Sequence, residues 1–196
     1  MPIALAVSLL CSVIYTATIS AGPFSGRWAV KAMAVAALAL LVRKQRLPAA
    51  ALLLGALGDA LLEAGSSYFV HGLAAFLCGH IVYTIAFLRA GVRRLPAGAP
   101  VLLTLYAAAF AFWLWPHLGP LQAPVLVYMA AITVMATCSL RLSALAAAGA
   151  VLFLLSDSLL AANQFVAPVA AGGYLIWITY YAAQLCIALA FGFHRK

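Results

Sequence analysis

The sequence predicts an all-α integral membrane protein of eight transmembrane helices, built as two four-helix repeats of the same topology. Three observations lead there. The 196 residues are 68% hydrophobic and 7% charged, with a mean hydropathy of +1.15, against roughly 45–50% apolar and about 25% charged residues in a soluble domain. A chain of this size folded in water still exposes much of its surface, so no soluble core holds this much apolar side chain. Turn and charge signals then cut the sequence into eight apolar runs, each near the roughly 20 residues of a span. Finally, Leu57-Gly58-Asp59-Ala60-Leu61-Leu62 is echoed as Leu155-Ser156-Asp157-Ser158-Leu159-Leu160.

The first span, 3–20, begins almost at Met1-Pro2-Ile3 with no basic leader. It therefore reads as a retained helix; a signal peptide cut near Ser20-Ala21-Gly22 is the minor alternative. Gly22-Pro23 ends it. The second, 28–42, carries Lys31 and runs into Arg43-Lys44-Gln45-Arg46-Leu47-Pro48. The third, 49–64, holds Asp59 and Glu63 and stops at Gly65-Ser66-Ser67. The fourth, 70–88, holds His80 and Tyr83, and a polar stretch from Arg89 to Pro100 follows. The fifth, 99–116, is closed by Pro116 to Pro120; the sixth, 122–139, carries Tyr128 and ends at Leu140-Arg141. The seventh, 143–162, carries Asp157, with Asn163 and Gln164 near its exit, and a break at 166–173 leads to the eighth, 174–192, with Tyr180, Tyr181 and Gln184. Runs this short tilt only slightly.

The net charge of +8 comes in short clusters between apolar runs, which fits positive-inside orientation and not a nucleic-acid surface. Arg43, Lys44, Arg46, Arg89, Arg93, Arg94, Arg141, Arg195 and Lys196 all follow even-numbered spans, and only Arg27 and Lys31 lie on the other side. Nine against two places both termini in the cytoplasm. Cys11, Cys78, Cys138 and Cys186 sit singly inside spans, without a CxxC pair, as small buried apolar residues. Trp28, Trp113, Trp115 and Trp177 fit aromatic belts. High alanine content points to a GC-rich bacterial source, and so to a multi-pass protein of the inner membrane.

The repeat extends beyond the aspartates. Lys31 precedes Asp59 by 28 residues, and Tyr128 precedes Asp157 by 29. His80 and Gln184 each stand seven residues before a Phe, in Ile85-Ala86-Phe87 and Leu189-Ala190-Phe191. The expectation is one membrane domain with halves at 1–98 and 99–196. Four spans per half insert both halves alike, so the pseudo-axis follows the membrane normal.

Asp59, Glu63 and Asp157 are the only acidic residues, and all lie within or at the ends of apolar runs. A carboxylate in hydrocarbon is costly unless paired, hydrated or protonated, which makes these three the candidate working centre. Asp59 lies about 15 Å from the inner end of its span, and Glu63 one turn further on the same face. Depth alone lets Lys31, Asp59, Glu63, His80, Tyr83, Tyr128, Asp157, Tyr180 and Gln184 converge on one cavity. Structural alternatives stand beside this: aspartates that bridge helices, a Lys31 that snorkels, a His80 that only donates across helices, and a solvated Glu63.

These residues carry a resemblance. Gly58-Asp59-Ala60-Leu61-Leu62, then Phe69-Val70-His71-Gly72-Leu73-Ala74-Ala75-Phe76 and Gly79-His80-Ile81-Val82-Tyr83, resemble the signature of the YhhN family of lysoplasmalogenases. Phe153-Leu154-Leu155-Ser156-Asp157 and Tyr180-Tyr181-Ala182-Ala183-Gln184 extend it through the second half. Lys31 matches the family's lysine, although the proline that often follows is Ala32 here. The resemblance implies a lysophospholipid substrate drawn from membrane lipid, with the sn-1 vinyl ether cleaved to a fatty aldehyde and glycerophosphocholine or glycerophosphoethanolamine. It implies no cofactor or metal.

The chemistry suits the residues. A vinyl ether has no acyl carbon for a nucleophile to attack; it hydrolyses by protonation at carbon, and water captures the resulting oxocarbenium ion. Glycosidases place two carboxyls around the same kind of cation. Two neighbouring carboxyls in a low-dielectric cavity resist ionising together, so a pair supplies one acid and one base. Asp59 and Asp157 are that pair, with the order open; Lys31 binds the lipid phosphate or holds the second aspartate ionised, and His80, Tyr180 and Gln184 orient water or head group. A proton-coupled transporter of a lipid or small amphiphile is the alternative. A metal-dependent lipid hydrolase has only one deep histidine, His80, to build on.

Overall fold

Backbone polar groups in lipid must be satisfied within the chain, and alanine- and leucine-rich runs do this as helices. The structure, a computed structural model, describes residues 2–22 and 24–194. Pro23 of the first break and Arg195 and Lys196 of the orientation count lie outside the described residues. The helices are α1 (Pro2–Thr18), α2 (Arg27–Ala39), α3 (Arg46–Ala64), α4 (Phe69–Ala90), α5 (Gly98–Leu114), α6 (Gln122–Ser139), α7 (Ala144–Ala161) and α8 (Gly172–Phe193). Their ends fall close to the expected breaks. Gly65, at φ 133°, turns the chain after α3, and Ser143 accepts a hydrogen bond from the Ala146 N–H at the start of α7.

Among the described residues six helices, α3 to α8, are long and apolar enough to cross a membrane when the short 3-10 and π turns beside them are included. α1, with 17 residues, and α2, with 13, are shorter. The second span was expected to reach 42. Instead, α2 stops at Ala39, and turns occupy 40–44 before the basic segment begins α3.

Each helix from α1 to α4 packs on the next, as do α6 to α8. α4 against α6, and α8 against α1, α2 and α3, join the two series. α5 stands at the edge: it packs on α6 and on the π turn Ala162–Val166, and Leu114 is its one buried residue. Small residues let helices approach closely. A Cβ at Gly149 would lie 2.9 Å from the Ala183 carbonyl oxygen, and one at Gly79 would lie 3.5 Å from that of Ala51. Aromatic rings also meet across the halves: Phe87 stacks on Phe191 at 5.2 Å, and Phe76 meets Tyr180 edge-on at 5.7 Å.

Two sequence expectations change. Trp177 belongs to no interfacial belt: it is buried, 4.5 Å from the Tyr15 ring, and donates to Thr16 Oγ1 at 3.0 Å. Cys78 is exposed on α4, while Cys138 is the one buried cysteine. Helical phase decides both, and apolarity along a run does not report it.

Candidate active site

α2 and α3 run antiparallel, and each carries charge at i, i+4: Arg27 and Lys31 on one, Asp59 and Glu63 on the other. The spacings interlock. Arg27 Nε lies 2.6 Å from Glu63 Oε1, Lys31 Nζ 3.4 Å from Glu63 Oε2, and Lys31 Nζ 4.0 Å from Asp59 Oδ1. The Tyr15 hydroxyl donates to Glu63 Oε2 at 2.8 Å, and its ring lies 5.2 Å from both cations, a geometry that favours cation–π attraction. Two cations and two carboxylates thus offset one another in a site that excludes most solvent. Glu63 is a member of this ladder and not a solvated end residue, and Lys31 turns inward in place of snorkelling.

Asp59 is 2% exposed. The Tyr180 hydroxyl on α8 donates to its Oδ2 at 2.7 Å. Behind Tyr180, Gln184 Nε2 donates to the phenol oxygen at 3.3 Å, and the Tyr83 hydroxyl donates to Gln184 Oε1 at 2.7 Å. Tyr83 and Gln184 are fully enclosed, so they fix Tyr180 from behind.

The second aspartate has its own set. The Tyr128 hydroxyl on α6 donates to Asp157 Oδ2 at 2.5 Å, and His80 Nε2 on α4 lies 2.9 Å from the Tyr128 oxygen and 3.6 Å from Asp157 Oδ2. The phenol hydrogen is engaged by the carboxylate, so His80 acts as donor to the phenol oxygen. Next to Asp157, Ser158 Oγ accepts from the Tyr106 hydroxyl of α5 at 2.8 Å.

The expected single cavity is divided. Phe153 lies 4.8 Å from the His80 ring and 5.2 Å from that of Tyr180, and Phe76 contacts both Phe153 and Tyr180. These rings thus pack against partners of both carboxyl groups, Tyr180 of Asp59 and His80 of Asp157. Asp157 lines an apolar cavity between α4, α5, α6 and α7, walled by Phe76, Phe110, Tyr128, Met129 and Phe165; Asp59 is not among its lining residues. About 50 Å³ is open in this conformation. All nine candidate residues are thus in polar contact with another candidate, in two groups. Among the described residues no group of three or more His, Cys, Asp or Glu gathers as metal ligands.

Arg27, Tyr15 and the Phe76–Phe153 wall escaped the sequence reading. Arg27 had a signal, its i, i+4 spacing to Lys31 matching Asp59 to Glu63. The aromatic wall had none, because it forms only where α4, α7 and α8 meet.

The sequence profile of the YhhN family matches residues 26–191, a segment holding every candidate residue. The chain belongs to the YhhN family. The Lysoplasmalogenase of Mycobacterium bovis is 35% identical over 185 residues, covering 88% of this chain and 70% of its own length. Lysoplasmalogenase TMEM86B of Sus scrofa is 37% identical over 141 residues, covering 71% of this chain and 61% of its own. The Homo sapiens protein of that name matches with the same identity and coverage. No solved structure matches this YhhN chain.

Proposed function

We propose that the chain is a hydrolase that cleaves the vinyl ether of lysoplasmalogens inside the membrane, releasing a fatty aldehyde and glycerophosphocholine or glycerophosphoethanolamine. Asp157 carries the reading: a carboxyl set in an otherwise aromatic and aliphatic cavity and hydrogen-bonded to Tyr128. A polar group so placed meets a lipid chain at the point where the chain itself becomes polar. The YhhN relatives that carry the name lysoplasmalogenase support the same substrate class.

Asp157 is the general acid. Its proton goes to the alkene carbon away from the ether oxygen; the double-bond pair forms the new C–H bond, and an oxygen lone pair stabilises the cation at the other carbon. Phe76 and Tyr128 line the cavity, and aromatic rings there favour that positive charge. Water adds to the cationic carbon and gives its proton to a carboxylate. The hemiacetal then collapses, with a proton passing to the departing glycerol oxygen. Asp59 is the second member of the aspartate pair, with Lys31 and Tyr180 fixing its position. His80 and Tyr128 position Asp157; Tyr83 and Gln184 act through Tyr180. Lys31, with Arg27, offers the lipid phosphate its cations. The cavity is small as it stands, and α5 is the wall that moves to admit the alkenyl chain.

The same reading takes all eight helices as spans in two parallel repeats, both termini cytoplasmic, in a bacterial inner membrane. Support comes from matching pairs. Lys31–Asp59 and Tyr128–Asp157 join the second and third helix of each half, while Tyr180 and His80 reach the aspartate of the other half. The Phe87–Phe191 and Phe76–Tyr180 contacts pair residues at corresponding places in the two halves, as a two-fold relation would require. Transport of an amphiphile has less support, since the long helices run unbroken through mid-length. The test is aldehyde release by purified Asp157→Asn and Asp59→Asn variants. Loss of a general acid or base costs roughly 10²–10⁴ in rate, and near-normal release by both folded variants would refute the aspartate mechanism.

A further inference from the structure

At the end of the bundle that holds Arg43, Arg89 and His194, a groove of about 1220 Å³ opens, larger than the roughly 300–1,000 Å³ of an ordinary small-molecule site. Its origin is the early end of α2. Thirteen residues make a rod of about 20 Å, short of the roughly 30 Å hydrocarbon layer. The chain therefore turns while its neighbours continue, α4 to Ala90 and α8 to Phe193.

Arg43, Lys44, Arg46, Arg89 and His194 line this groove, and among the described residues no carboxylate does. Among the described residues the four arginine and lysine side chains enter no ion pair, because all three acids are engaged in or beside the candidate active site. Part of the floor is held fast: Gln45 Nε2 donates to the Phe191 carbonyl at 2.7 Å, and His194 Nε2 lies 3.1 Å from the Ala90 carbonyl. The four cations stay exposed. Away from them the wall turns apolar, with Ile3, Met33 and Leu40 at 78%, 50% and 59% exposure.

Positive-inside bias explains basic loops, yet it requires no concavity. Arg93, Arg94 and Arg141 obey it in the segments after α4 and α6, and they line no part of the groove. Cations converging on one end of a concave surface, with hydrocarbon-facing side chains at the other, match an anionic amphiphile. We propose that the groove binds an anionic phospholipid, its phosphate among Arg43, Lys44, Arg46 and Arg89 and an acyl chain along α1 and α2. This site stands apart from the aspartates and does not depend on the hydrolytic reading.

Native mass spectrometry of the full chain, released from micelles with equal phosphatidylglycerol and phosphatidylcholine, tests it. Wild type retains phosphatidylglycerol preferentially. Arg43→Gln/Lys44→Gln loses about tenfold or more of that affinity, while Arg93→Gln/Arg94→Gln, with the same change in charge, keeps it. Met33→Trp fills the apolar wall without altering charge, and lowers retention too, which keeps the test open should the charge variant fail to insert. No preference in wild type, or equal loss in both charge variants, overturns the proposal. Displacement of the lipid by soluble glycerol 3-phosphate overturns it as well, since the site would then take a free phosphate ester.

Discussion

Tyr128 makes the shortest polar contact at the candidate site, to a carboxyl that already has His80 nearby. Its removal separates positioning from proton transfer. Tyr128→Phe retains the ring and the cavity wall but frees Asp157 to rotate, so kcat should fall about tenfold or more with KM little changed, short of the loss expected for the acid itself. An unchanged kcat would remove Tyr128 from the account. Both aspartates and their lysine were legible in the sequence because charge is so scarce there. The Arg27–Glu63 pair was legible only in part, through matching spacing on helices whose antiparallel packing had first to be inferred. The wall formed by Phe76 and Phe153 was not legible, since nothing in an apolar run distinguishes a ring that faces lipid from one that faces another helix.

At the scale of helices, close approach is controlled by glycine, and the two halves use it differently. Gly149 on α7 faces the backbone of α8, where a methyl group would sit 2.9 Å from the Ala183 carbonyl oxygen; Gly79 on α4 leaves 3.5 Å to the Ala51 oxygen on α3. Gly149→Ala should cost about 1–3 kcal/mol through overpacking, and Gly79→Ala little. Thermal unfolding in detergent measures both, and equal stability of the two variants would contradict the packing described. α2 taught the reverse lesson. Its sequence reads as apolar to Val42, but the chain leaves the helix at Leu40, ahead of three cations and a proline. Apolarity set the expected length, and the early turn of the chain set the observed one.

Across the whole molecule, eight helices form two sequential series joined by α4 on α6 and by α8 on α1, α2 and α3. Two parallel repeats with cytoplasmic termini require Ser66 and His117, both exposed, to share the outer face and Arg93 and His194 the inner. Single cysteines at these positions in a cysteine-free background, labelled with a membrane-impermeant maleimide on intact cells, should react at the first two sites only. Labelling at Arg93→Cys would invert the arrangement. The proposed repeat was read in sequence from two aspartate motifs, and the Phe87–Phe191 and Phe76–Tyr180 contacts support it.

The central claim is that cleavage begins with a proton delivered to carbon. Hydrolysis of a lysoplasmalogen by the purified chain in D₂O, with the aldehyde trapped and weighed at early times, reads this directly. The account predicts one deuterium at the carbon next to the aldehyde group, with Asp157→Asn abolishing its appearance. Aldehyde released without deuterium at that carbon would contradict it.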